Sequence, residues 1–258
     1  MPKHFTKSLI LVALLLLLAT LSGCGRKGPL RPLGKPMPAA PPDLVLHQQG
    51  GRMLIEWTIP TRNQDGSELK NLEGFRVYRM DYDPAEDCPE CRDTSILLQI
   101  VDLDYLLEAD RSDDRLSIVD YEVEPATGYR YRVAPYTGSG RVGASASARR
   151  PFLPPPPAPG RVAGEGLDRL VRLSWEKPLP GPPLAELVGY HVYRRAPGAP
   201  FPPRPINIEP AAEPRYEDFE VQNDQPYRYG VRALYSIGGL RVESIAVEIG
   251  EIVPREGQ

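Results

Sequence analysis

The 258-residue chain is poor in the residues from which most reactive sites are built: it has three cysteines, three histidines, two tryptophans and four methionines. So few cysteines exclude a disulfide-dense scaffold, and so few histidines leave little from which to assemble a metal centre. Long apolar runs are missing as well. The longest, Leu9 to Ala19, falls short of the roughly 20 residues that cross a bilayer. No nucleophile elbow, phosphate-binding glycine loop or His-Glu-x-x-His pattern occurs, which points away from an enzyme. An excess of positive charge is lacking: 31 Lys and Arg face 34 Asp and Glu, and Lys3 and Lys7 lie in a removable leader, so nucleic acid is excluded as a partner. Helical patterning is confined to residues 9–19 and 103–109, and 31 prolines disfavour long helices elsewhere. An all-β chain is the expectation.

What is present begins at the N-terminus. Lys3 and Lys7, the apolar run, and then Leu21-Ser22-Gly23-Cys24 read as a secretion signal over residues 1–23. Its last four residues resemble the bacterial lipobox, which implies that Cys24 becomes the acylated N-terminus and that several acyl chains supply stable anchoring. Gly25 in place of aspartate implies sorting to the outer membrane, facing the periplasm. Cys24-Gly25-Arg26-Lys27-Gly28-Pro29-Leu30 is also similar to the mature start of the small LptM-type lipoproteins, which associate with the lipopolysaccharide translocon. A generic tether, rich in glycine, proline and lysine, accounts for the same residues.

Four blocks then repeat in one order. The strand ending in Trp57 recurs at Trp175. Gly74-Phe75-Arg76-Val77-Tyr78-Arg79 recurs as Gly189-Tyr190-His191-Val192-Tyr193-Arg194. Asp120-Tyr121-Glu122-Val123 recurs as Asp218-Phe219-Glu220-Val221, and Tyr129-Arg130-Tyr131-Arg132-Val133 as Tyr227-Arg228-Tyr229-Gly230-Val231. Each block alternates apolar and polar residues, as a strand with one buried face does. Further strand-like runs lie near 43–47, 96–101, 116–119 and 142–147.

These blocks resemble fibronectin type III domains. The resemblance implies two tandem immunoglobulin-like β-sandwiches, with a tyrosine corner in Val123-Glu124-Pro125-Ala126-Thr127-Gly128-Tyr129; the second repeat keeps the spacing to Tyr227 but loses the Pro and Thr. The organisation expected is a signal over 1–23, a lipidated proline-rich tether over 24–40, a first sandwich over 41–150, a polyproline linker over 151–157, a second sandwich over 158–253 and a tail over 254–258. Consecutive prolines in the linker predict a semi-rigid rod that holds the sandwiches apart, and Pro29 to Pro42 reads as a second spacer.

The first repeat carries an insertion holding Cys88 and Cys91, flanked by Asp83, Glu86, Asp87 and Glu90. A disulfide closing the loop is the simplest reading in an oxidising envelope. Haem attachment fails because Arg92 stands where a histidine is needed. Half of a zinc site, a redox dithiol and a loose calcium loop remain alternatives, the first short of two ligands and the second opposed by the neighbouring acids. His4 falls in the signal, and His47 and His191 fall on separate strands. No cofactor or metal is expected.

If the third and sixth strands neighbour each other, Arg76, Tyr78, Arg130 and Arg132 share one outer face. Its counterpart in the second repeat is His191, Tyr193, Arg228 and Arg232. Such faces suit a carboxylate, phosphate or glycan; arginines packed on tyrosines to cover a sheet are the competing description. The function expected is a lipid-anchored binding or scaffold protein of the cell envelope, with an envelope protein or glycan as partner and no catalysis. The alternatives are a redox or metal accessory factor acting through Cys88 and Cys91, and an accessory lipoprotein of lipopolysaccharide transport or outer-membrane assembly.

Overall fold

The computed structural model describes residues 36–85, 91–107 and 109–257. Eight strands form the first sandwich: β1 (Val45–Gln49), β2 (Arg52–Thr58), β3 (Leu72–Tyr82), β4 (Ile96–Asp102), β5 (Ala109–Ser112), β6 (Arg115–Asp120), β7 (Gly128–Thr137) and β8 (Ala146–Pro151). Seven form the second: β9 (Val162–Leu167), β10 (Leu170–Trp175), β11 (Ala185–Arg195), β12 (Arg215–Asp218), β13 (Tyr227–Ile237), β14 (Leu240–Glu243) and β15 (Val247–Ile252). No α-helix occurs among the described residues. Where a helix is expected over 103–109, the described residues 103–107 form an irregular turn in which the Leu103 N–H donates to Glu73 and the Tyr105 N–H to Asp102. Leu103 and Leu106 spend their apolar surface on the core, and Ala109 already belongs to β5.

In the first sandwich the sheet β1-β2-β6-β5 faces the sheet β4-β3-β7-β8, and in the second β12-β10-β9 faces the sheet built on β11 and β13. The final strand of the second sandwich is split: β14 pairs with the C-terminal half of β13 and β15 with its N-terminal half. This is the fibronectin type III-like arrangement. Period-two patterning delivers the cores as expected. Trp57, Phe75, Val77, Tyr129, Tyr131 and Val133 are buried in one, and Trp175, Tyr190, Val192, Tyr229 and Val231 in the other. Trp57 meets Phe75 edge-on at 5.4 Å, and Trp175 meets Tyr190 in the same way at 5.1 Å.

The remaining repeated residues meet in one node per sandwich. The buried Asp120 carboxylate accepts from Tyr131 Oη at 2.8 Å, from Arg79 Nη1 at 3.1 Å and from the Glu122 N–H at 2.9 Å. Asp218 does the same with Tyr229 Oη at 2.8 Å, Arg194 Nη1 at 2.8 Å and the Glu220 N–H at 3.0 Å. Tyr129 Oη accepts the Glu124 N–H, and Tyr227 Oη the Gln222 N–H, so the tyrosine corner survives in the second repeat without its Pro and Thr. A buried carboxylate is tolerated because every donor around it is aimed at it. Burial, followed by the adjacent carboxylate, drives the Tyr131 and Tyr229 phenols far above the usual range.

The two sandwiches are not held apart. β1 of the first pairs in parallel with β14 of the second, Gln48 opposite Val242 and Gln49 opposite Glu243, and the Gly50 N–H donates to the Glu243 carbonyl at 2.9 Å. One sheet therefore runs β11-β13-β14-β1-β2-β6-β5 through both sandwiches. The linker is laid along this seam instead of acting as a rod. Phe152 is buried in the first core, and the Gln48 amide both donates to the Leu153 carbonyl at 2.6 Å and accepts the Leu153 N–H at 3.0 Å. Arg150 donates to the Leu46 carbonyl on one side and the Arg241 carbonyl on the other. The stiffness of the prolines fixes where the second sandwich docks; it does not prevent docking.

The described part of the expected tether is also packed. Pro38 bridges to Asn63, the Ala39 N–H donates to Arg62, and the Ala144 N–H donates to Pro38. The first sandwich thus gathers chain from Met37, whose carbonyl accepts the Gln64 N–H. The strand expected near 142–147 runs over 146–151, and Val142 makes only an isolated bridge to Tyr136.

Candidate functional site

Pairing of β3 with β7 sets Tyr78 opposite Arg132 and Met80 opposite Arg130, which brings Arg76, Tyr78, Arg130 and Arg132 onto one outer face. The Arg132 guanidinium lies 4.1 Å from the centre of the Tyr78 ring, and that of Arg76 lies 5.7 Å from Tyr136. Arg130 pairs with Asp93 at 3.0 Å, an acid supplied by the insertion. Arg76 and Arg132 make no close ion pair among the described residues, although Arg132 adds to the positive charge that lowers the Asp93 pKa after its hydrogen bonds to Ser95. Beside them the edge strand β4 exposes Ile96, Leu97 and Ile100.

The second-repeat counterpart is not a free face. Tyr193 is 1 % exposed; its hydroxyl donates to Glu243 at 2.8 Å and accepts from Gln49 Nε2 of the first sandwich at 3.2 Å. His191 Nδ1 lies 2.5 Å from Glu243 Oε1, and Arg232 donates to the Ser244 carbonyl. Only Arg228 stands apart, opposite Arg195. The seam covers this face, and one difference between the repeats admits a second cover. Gly230 occupies the position of Arg132, and the ring of Phe201 fills the space, so a Cβ at 230 would sit 3.3 Å from it. Arg195 stacks over Phe201 at 4.7 Å. The proline-rich segment 199–205 is thereby drawn across the sheet, where the Pro203 carbonyl accepts from Gln49 Nε2 at 2.7 Å.

This roof and the seam enclose an open pocket of about 350 Å³. Its walls include His47, Glu56 and Leu54 from the first sandwich and His191, Glu243, Arg204, Pro205 and Ile208 from the second. The two histidines, which the sequence sets on separate strands of separate repeats, thus line one cavity. Glu56 accepts from Arg115 Nε and from Arg204 Nε, each at 2.8 Å. Burial alone would raise the Glu56 pKa, but the two guanidinium groups outweigh it and leave it lowered. Burial lowers the His47 pKa, against the opposing pull of Glu56 and Glu243. His47 is nonetheless solvent-accessible, so it is surrounded by protein and faces the open space of the pocket.

Cys91 is disulfide-bonded. Cys24 and Cys88 lie outside the described residues. Among the described residues, no group of three or more His, Cys, Asp or Glu side chains is placed to hold a metal ion.

The fold defines the class: a pair of fibronectin type III-like sandwiches fused along one sheet. Among solved structures the chain is similar to the FN1–FN3 domains of chicken CNTN1, at 16 % identity and a TM-score of 0.34, over 86 % of this chain and 69 % of that one. No family model and no curated protein matches it.

Proposed function

We propose that this protein is a non-catalytic binding and scaffold module of the cell envelope, tethered by lipid at Cys24 and presenting its first-sandwich face to an envelope protein or glycan. The observation that carries the reading is the sheet shared through β1 and β14, which makes one body of the two sandwiches. That body presents Arg76, Arg132 and Tyr78 beside the apolar β4 edge. Guanidinium groups backed by aromatic rings and making no close ion pair among the described residues are suited to carboxylate or hydroxyl-rich ligands. The leader ending in Leu21-Ser22-Gly23-Cys24 supports the tether.

The test has two parts. Cys24→Ala is expected to abolish acyl labelling and release the chain from membranes; membrane retention of that variant would defeat the lipid tether. A photoreactive residue in place of Tyr78 is expected to capture an envelope component in native membranes, and a labelled but adduct-free protein would defeat the binding face.

A further inference from the structure

The seam pocket has an imbalance that indicates what it can hold. Its acceptors are already engaged. Glu56 Oε1 and Oε2 take Arg115 and Arg204, and Glu243 Oε1 and Oε2 take His191 and Tyr193. The Gln49 side-chain carbonyl takes Arg52, and that of Asn207 takes the Val192 N–H. Its donors are not. Arg204 uses only Nε, so both Nη groups are uncommitted among the described residues. His47 makes no hydrogen bond there, so its ring N–H is uncommitted. The rest of the lining is apolar, with Leu54, Pro205 and Ile208 among it. A forked guanidinium matches the two oxygens of a carboxylate, and about 350 Å³ falls within the size range of small-molecule sites.

We propose that the seam pocket binds a small carboxylate with an apolar body. The Nη groups of Arg204 and the ring N–H of His47 hold the carboxylate, while the chain of the ligand lies against Leu54, Pro205 and Ile208. Because residues of both sandwiches line it, this site exists only when the seam is closed, and it is independent of what the Arg76 face binds.

The test uses the full chain and two probes of one shape, hexanoate and neutral hexanamide. Saturable binding of hexanoate, with the imidazole resonances of His47 shifting and hexanamide at least about tenfold weaker, is the expected result. Arg204→Lys keeps a cation beside Glu56 but loses the fork, and is expected to weaken hexanoate about tenfold or more while the unfolding midpoint stays within a few degrees. Equal binding of both probes, an unmoved His47 at saturation, or wild-type affinity in Arg204→Lys would each overturn the proposal. So would zinc alone shifting both histidines in the absence of hexanoate, since that would make the pocket a cation site.

Discussion

Asp120 and Asp218 explain why the repeat conserves residues that no core needs. Each is a buried anion satisfied by one arginine, one tyrosine hydroxyl and one main-chain amide. Removing the acid leaves a buried tyrosine hydroxyl without its acceptor and the guanidinium with only its outer partners, Asp81 and the Glu122 carbonyl for Arg79 and Glu220 for Arg194, so Asp120→Ala and Asp218→Ala are each expected to cost about 2–4 kcal/mol. Tyr131→Phe, which leaves the carboxylate with its other donors, is expected to cost about 1.5–3 kcal/mol; urea titrations check both. The pocket residues give a pH signature. The folded pKa of His47 is lowered below 6.5, so the unfolded chain takes up a proton that the folded chain refuses. Its contribution is complete above about pH 6.5 and is lost as pH falls below that. Glu56, also lowered, contributes above its ordinary value of 4.5 and loses that contribution as pH falls further. His47→Gln is therefore expected to flatten the fall in stability just below pH 6.5, and Glu56→Gln the fall below pH 4.5, both read from unfolding midpoints against pH.

At the scale of strands, the sequence made the cores legible and concealed the seam. Alternation in Phe75-Arg76-Val77-Tyr78 and Tyr129-Arg130-Tyr131-Arg132 assigns inner and outer faces because burial there follows a period of two. In β2 that signal breaks: Leu54 is apolar on the outer side, and every residue from Met53 to Trp57 is buried. An apolar residue on a polar face was a sign that something covers it. The exchange of Arg132 for Gly230 in the second repeat was another. Neither could name the covering, because pairing of β1 with β14 joins main-chain groups that carry no side-chain pattern. The role of Gly230 is testable. Gly230→Arg, which restores the first-repeat residue, is expected to evict Phe201 and expose segment 199–205, seen as faster proteolytic cleavage there, with the second core still folded.

For the whole molecule, the seam joins two repeats, each with its own core, in one continuous sheet. Gly50 is its tightest point. It sits at a φ of 60°, and a Cβ there would come within 3.1 Å of Ile245 Cα and 3.2 Å of the Ser244 carbonyl. Gly50→Val therefore combines an unfavourable backbone conformation with a wedge. It is expected to turn a single urea transition into two and to increase the radius of gyration measured by X-ray scattering, as the sandwiches part about residues 151–157.

The parallel pairing also sets an order of events. β1 meets β2 within a few residues, but its other partner, β14, lies about two hundred residues further along the chain. A first sandwich that forms before β14 is in reach has β1 as a bare edge and the seam still open. Until it closes, the β14 of another copy presents the same main-chain groups to that edge. Refolding at high concentration thus favours copies exchanged through β14, each making the pairing that a single chain makes with itself.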